Sequence, residues 1–368
     1  MEPAALNVSP SRETPLEGRS PRPSGKLRRW VMLALLLAVP AAFALSLAAG
    51  SVSIPLDEIV TILLGGEPSR ATWSTILLNF RLPKALTAVL AGAALSASGL
   101  LMQTLFRNPL ADPFVLGISS GASLGVALVV LVTGVSGTSL LTGLDFLGDL
   151  SLIAAASIGS ALVLLLVMWV SRRIQSVTTL LIIGLMFGYA TSALVSIMMH
   201  FSVADRIYTY VNWTFGSFGG VAWGQMGVFA AILLVGLLLA YLLAKPLNAL
   251  LLGEAYARSM GLNVRRARLW LILAASVLAG VITAFCGPIG FLGVAVPHLC
   301  RALLGTSDHR VLLPAVILLG AALALVADVI AQMPGSQTVL PLNAITALFG
   351  APVVIWVIMQ RSKVSLNA

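Results

Sequence analysis

Residues able to do chemistry are few in this chain and scattered through apolar sequence. Asp328 lies inside the apolar run 311–333, where an acid costs roughly 2.5–3.5 kcal/mol at a helix centre. It is read either as a proton relay or as a structural hydrogen bond to neighbouring backbone, and the second is preferred. His298 follows Pro297 near a helix end and reads as a capping or packing residue. His200, Met198 and Met199 together offer soft ligands of the kind that hold haem, yet methionine clusters in helices serve mostly as packing. There are three histidines, none at i, i+4, so no metal cage is expected. Cys286 and Cys300 form neither a C-x-x-C pair nor a disulfide framework. The sequence holds no G-x-x-x-x-G-K-S/T, hence no phosphate-cradling loop of its own. An intramembrane enzyme needs a nucleophile or a metal pair, and neither constellation is visible.

The elements that position these residues are membrane helices. Of 368 residues, 59% are hydrophobic and 10% charged, and the mean hydropathy is +1.01. A soluble domain is about a quarter charged, so soluble enzyme, disordered chain and secreted disulfide scaffold are excluded. Long continuous apolar runs also exclude a spanning β-barrel. A bilayer core takes about 20 apolar residues per helix. Ten segments of about that length are expected as spans: 30–49, 85–106, 114–133, 150–170, 178–200, 225–244, 269–285, 288–304, 311–333 and 344–360. The seventh and eighth are short and separated by Cys286-Gly287-Pro288. The fold class is therefore all-α, a polytopic membrane protein of about ten transmembrane helices.

The net charge of +9 invites a nucleic-acid reading until it is sorted by side. With an even number of spans and the N-terminus inside, 18 of the 22 Lys and Arg residues fall inside. Arg70, Arg81, Lys84 and Arg206 fall outside. This segregation follows the positive-inside rule and puts both termini in the cytoplasm. Residues 1–29, rich in Pro, Ser, Arg and Glu, read as a disordered cytoplasmic tail, and 30–363 as the spanning domain. Leu47-Ala48-Ala49 resembles a signal-peptide cleavage site, but the apolar run is too long and a retained first span is favoured. Loops at 51–84, 134–149 and 201–224 are expected outside.

The motifs narrow the reading. Arg81-Leu82-Pro83-Lys84 precedes a small-residue run, Ala91-Gly92-Ala93-Ala94-Leu95-Ser96-Ala97-Ser98-Gly99, whose spacing lets helices approach closely. Arg107-Asn108-Pro109-Leu110-Ala111-Asp112-Pro113 follows as a bent inside loop, because two prolines four apart cannot share a helix interior. Leu116-Gly117 and Gly121-Ala122 come next. Trp213-Thr214-Phe215-Gly216-Ser217-Phe218-Gly219-Gly220-Val221-Ala222-Trp223, the stretch from Gly287-Pro288-Ile289-Gly290-Phe291 to Pro297-His298-Leu299-Cys300-Arg301, Asp308-His309-Arg310 and Phe349-Gly350-Ala351-Pro352 complete the set. From about 81 to 360 this pattern resembles the permease family of iron-siderophore, haem and cobalamin ABC importers, of the type II fold.

The resemblance implies ten spans, a homodimer or a pair with a close paralogue, two cytoplasmic ATPase subunits and an external or periplasmic substrate-binding protein, in a bacterial inner membrane. It implies no cofactor in this chain, ATP-Mg being held by the ATPase subunits. Lipid is the surrounding partner and nucleic acid is not expected. The cytoplasmic stretch 246–268 resembles the coupling loop of such importers: an amphipathic helix ended by Gly261 in a C-cap role. Gly253, Glu254, Ala255, Met260 and Gly261 are the expected ATPase contacts, with Glu254 central. The inside gate is placed at Asn108 and Leu110 and at Val177 and Thr178, with Gly184 and Gly188 lining the path. Arg81 and Lys84 are placed as docking cations for the binding protein. Two departures from the family pattern stand out: Gln332, where the cobalamin permease is basic, and Val339-Leu340-Pro341-Leu342-Asn343, where the family has E-L-P-x-G.

The function expected is thus the permease subunit of a binding-protein-dependent importer for an iron-siderophore or related chelate, haem or cobalamin, using alternating access. A cobalamin-specific permease is the narrower alternative. An ion-coupled secondary transporter is the alternative of another class; it should show more intramembrane acids and broken helices.

Overall fold

A computed structural model describes residues 25–132, 145–174, 176–333 and 338–366. Among the described residues all regular elements are helical. Seven helices are long and apolar enough to cross a membrane, and three shorter apolar ones accompany them. In chain order the long helices are α1 (Gly25–Ala48), α4 (Leu82–Leu105), α6 (Asp145–Arg173), α7 (Val177–His200), α9 (Trp223–Leu242), α12 (Val264–Cys286) and α14 (His309–Ala331). The shorter apolar set comprises α5 (Ile118–Ala127), continued by a π-helical turn to Val132, α13 (Leu292–Leu304) and the apolar part of α15 (Leu342–Leu366). Each expected span overlaps one of these ten. Helix α1 starts at Gly25, so the expected tail is shortened at its C-terminal end, and residues 1–24 lie outside the described residues. The second span starts earlier than expected. Helix α3 (Ala71–Thr75) and a π-helical run, Ile76–Arg81, lead into α4 without a break. The loops after α1 and α7 carry two further helices, amphipathic α2 (Leu56–Leu63) and α8 (Ala204–Thr214).

Helix α4 is the axis of the bundle. Every residue from Ala91 to Leu105 is buried, and α14, α12, α13 and α9 surround it. The small-residue run explains how. A Cβ added at Gly99 meets the backbone of Gly293 in α13, and one at Gly92 meets the backbone of Gly320 in α14. Only glycine permits contact this close, which replaces the hydrophobic drive that is absent between helices in lipid. A second group, α5 with α6 and α7, joins the first through α12.

The eighth expected span needs correction. Helix α13 has 13 residues, about 20 Å at 1.5 Å per residue, too short for a core of about 30 Å. The chain enters it through irregular backbone at 287–291, with Phe291 at φ +69°. Such backbone survives at membrane depth only where protein satisfies it. Here the Gly290 N–H donates to the side chain of Asn343 (3.0 Å), and the Ser217 N–H donates to the Cys286 carbonyl (2.8 Å). The departure from glycine at Asn343 therefore has a structural use.

Candidate functional site

The basic end of the bundle holds the expected gate and coupling residues. Asn108 makes an Asx turn, its side-chain oxygen accepting from the Leu110 N–H (3.0 Å), and the Leu110 side chain is exposed. The loop is clamped from two sides. His298 contacts the Pro109 carbonyl through Nε2 (2.7 Å), and Arg107 Nη2 donates to the carbonyl of Leu250 (3.2 Å). Arg107 has φ +47°, a conformation uncommon for a residue with a Cβ. Gln103 donates to the Val294 carbonyl (3.2 Å) and accepts from Arg301 Nη1 (2.7 Å), tying α4 to α13. Asp112 caps the 3-10 turn Pro113–Leu116, accepting from the Phe114 N–H (2.9 Å). Burial pushes its carboxyl up to about 6, against the opposing pull of that hydrogen bond.

Thr178 is exposed near the start of α7, where Ser176 provides the N-cap for the Thr179 N–H (3.2 Å). The Val177 side chain lies outside the described residues. No hydrogen bond among the described residues joins Thr178 to Asn108 or Leu110. Gly184 is a tight packing contact, and Gly188 is half-buried. A Cβ on Gly184 meets the backbone of Val115 and Leu116, and one on Gly188 meets Ser120. Gly184 thus seats α7 against the loop that precedes α5, while Gly188 stands half-buried beside α5. The exposed side of α7 carries Ile182, Leu185, Met186 and Tyr189 instead.

The coupling stretch is two helices, not one: α10 (Ala244–Leu251) and α11 (Glu254–Ser259), broken at Gly253, where φ is +116°. Gly261, at φ +83°, closes α11 in a Schellman motif, with Leu262 N–H donating to Ala257 O (3.0 Å) and Gly261 N–H to Arg258 O (2.9 Å). Glu254, its side chain 32% exposed, is engaged within the chain. Its carboxylate is held by Arg268 (2.8 Å) and Arg258 (3.2 Å). Ala255 is exposed, and Leu252, Tyr256 and Met260 stand 64%, 53% and 52% exposed, an apolar patch on a basic surface. A polar chain fixes α10 to the bundle. Asn248 donates to Asp308 (2.6 Å) and accepts from the His309 N–H (2.9 Å), and His309 Nε2 contacts Thr104 of α4 (2.8 Å).

The two expected docking cations point inward. Arg81 is 8% exposed, and its guanidinium donates to the carbonyls of Leu47 (2.6 Å), Ala48 (3.0 Å) and Val52, so it closes the C-terminal end of α1. Lys84 pairs with Asp328 (3.0 Å), whose side chain is 3% exposed. Asp328 therefore bonds to a side chain on another helix and not to nearby backbone. Gln332 completes the group by donating to Asp328 Oδ2 (2.6 Å). With both oxygens engaged, Asp328 is a structural tie between α4 and α14.

Sequence reasoning missed Arg107, Gln332 and Asn343 as working residues. Gln332 and Asn343 carried a signal, each departing from the family pattern. Arg107 stood in the motif ending at Pro113, yet its bond to α10 depends on a left-handed backbone that the motif does not reveal.

Packed helices, inward-paired charges and irregular backbone satisfied within the protein define a polytopic helical membrane protein. A family model for the FecCD transport family matches residues 35–360. The vitamin B12 import system permease protein of Klebsiella pneumoniae is 40% identical over 334 residues, covering 90% of this chain and 94% of that protein. Its Salmonella paratyphi A counterpart is 37% identical, covering 91% and 96%. A solved inward-facing metal-chelate type ABC transporter superposes with a TM-score of 0.78 at 28% identity, covering 90% of this chain and 99% of that one. The chain belongs to the FecCD transport family.

Two outcomes follow. Lys84→Met alone should destabilise the detergent-solubilised chain by about 3–5 kcal/mol, because it leaves a buried carboxylate unpaired. Lys84→Met with Asp328→Leu should recover most of that loss. Equal losses for single and double variants, read as thermal midpoints, would dismiss the ion pair. Asp112 binds its proton more tightly in the folded chain than in the unfolded one. Its contribution is full below about pH 4 and is lost as pH rises through about 6, at most about 3 kcal/mol. Asp112→Asn should therefore gain thermal stability over the wild type at pH 8 and lose that advantage by pH 4. A difference between the two that is flat with pH contradicts the assignment.

Proposed function

We propose that this chain is the permease subunit of a binding-protein-dependent importer of cobalamin, driven by separate cytoplasmic ATPase subunits. The observation that carries the coupling mechanism is the bond from Arg107 to the Leu250 carbonyl. It joins the gate loop to α10, so movement of the coupling helices is delivered directly to Asn108 and Leu110. The exposed Leu252, Tyr256 and Met260 suit a partner's groove, the helix-in-groove mode. Glu254 holds this surface in shape through Arg258 and Arg268. The basic end, with 245–268 and both termini, faces the cytoplasm, as the charge distribution favours. Two copies, or one copy and a close paralogue, enclose the path. The cobalamin assignment within the metal-chelate class rests on the vitamin B12 permeases at 37–40% identity.

The ion-coupled alternative has no support beyond Asp328, which is paired with Lys84 and Gln332. Arg81 and Lys84 are withdrawn as binding-protein contacts because their cationic groups are already used within the chain.

Reconstituted with its ATPase and binding protein, the chain should take up cobalamin in a vanadate-sensitive manner. Tyr256→Asp with Met260→Asp should prevent ATPase assembly. Arg107→Met should leave assembly intact and lower uptake at least tenfold. Vanadate-insensitive uptake, or full uptake by the Arg107 variant, would overturn this reading.

A further inference from the structure

A second feature of the basic end lies beside the coupling surface and shares Arg258 and Arg268 with it. Where α6 ends, α11 and α12 enclose a cavity of about 350 Å³. Arg172, Arg258, Arg265 and Arg268 line it, together with Ser171 and Asn263. Glu254 answers Arg258 and Arg268, which leaves the surroundings net positive. Arg265 is braced from one side by donating Nη2 to the Arg172 carbonyl (2.8 Å). The N-terminal end of α12 faces the same region and adds the positive pole of its helix. Asn263 caps one of its amides, the Arg266 N–H (3.0 Å).

The hydroxyl of Ser171 points to an occupant. Ser171 is 5% exposed, and its Oγ is buried with no hydrogen-bond partner among the described residues. A buried hydroxyl without a partner costs free energy, so one at the wall of a cationic cavity marks a place for an acceptor. The depth of the cavity is set by Trp169, one turn earlier. It is exposed on α6 and stacked under the Arg173 guanidinium at 5.5 Å. An exposed tryptophan at a helix end marks the level of the lipid headgroups, and basic pockets between helices at that level suit anionic headgroups.

We propose that this cavity binds the headgroup of an anionic phospholipid. The phosphate lies among Arg172, Arg258 and Arg265 and accepts the Ser171 hydroxyl. The headgroup fastens the end of α6 to α11 and α12. This adds a lipid partner on the coupling side, independent of which chelate is carried.

Native mass spectrometry of the full chain, delipidated in detergent, tests it with three probes: phosphatidylglycerol, phosphatidylcholine and inorganic phosphate. One phosphatidylglycerol should be retained per chain, phosphatidylcholine should be lost, and 10 mM inorganic phosphate (roughly the concentration at which a millimolar phosphate site fills) should not displace the lipid. Arg172→Gln with Arg258→Gln should weaken retention at least fivefold, and Ser171→Ala should weaken it measurably. Arg173→Gln, outside the cavity, should retain lipid as the wild type does, which separates loss of the site from loss of surface charge. Helical circular dichroism confirms that each variant is folded. Equal retention of the two lipids, retention unchanged by the double variant, or a site filled by inorganic phosphate while phosphatidylglycerol is lost would each overturn the proposal.

Discussion

The structure depends on how closely other helices approach α4. In lipid there is no hydrophobic gain from bringing two apolar helices together, so association relies on packing and hydrogen bonds. Glycines at 92 and 99 let the backbones of Gly320 and Gly293 come within contact distance. That contact brings α13 and α14 against α4, and the polar groups follow. Gln103 reaches the Val294 carbonyl, Thr104 reaches His309, and Lys84 reaches Asp328. Without the close approach these partners are separated, and each becomes a polar group unsatisfied at membrane depth.

Function is then a matter of which parts are held and which are left open. The inner layer is tied at many points, and the loop between α4 and α5 is held on α13 by His298 and on α10 by Arg107. By contrast, α7 presents an apolar exposed side and α11 an apolar exposed patch, surfaces suited to a second copy and to an ATPase. A rigid centre with unpartnered flanks suits a protein that works as part of an assembly.

Much of the fold was legible in the sequence because hydropathy and charge report directly on membrane depth. All ten apolar segments correspond to helices, and the cap at Gly261 was visible from its position after an amphipathic run. Side-chain partners were not legible. Arg81, Lys84, Glu254 and Asp328 were read one at a time, as docking cations, a docking acid and a backbone-bonded acid. They are engaged within the chain, Lys84 with Asp328 and Glu254 with two arginines. Spacing along the chain does not tell that Lys84 and Asp328 meet from helices far apart in sequence. Gly184 was ambiguous for a related reason, since a small residue serves equally to line a path or to seat a neighbouring helix. The short length of α13 escaped because the irregular backbone before it is itself apolar.

The central claim is that the α4 contacts hold the bundle together, and a paired substitution measures it. Gly99→Leu places a side chain against the backbone of Gly293, whereas Gly227→Leu on α9 enters open space. In detergent, the Gly99 variant should lose at least about 3 kcal/mol, the upper end of overpacking costs, and should release Gln103 and Lys84 from their partners. The Gly227 variant should unfold like the wild type. Equal thermal midpoints for the two variants would contradict the account.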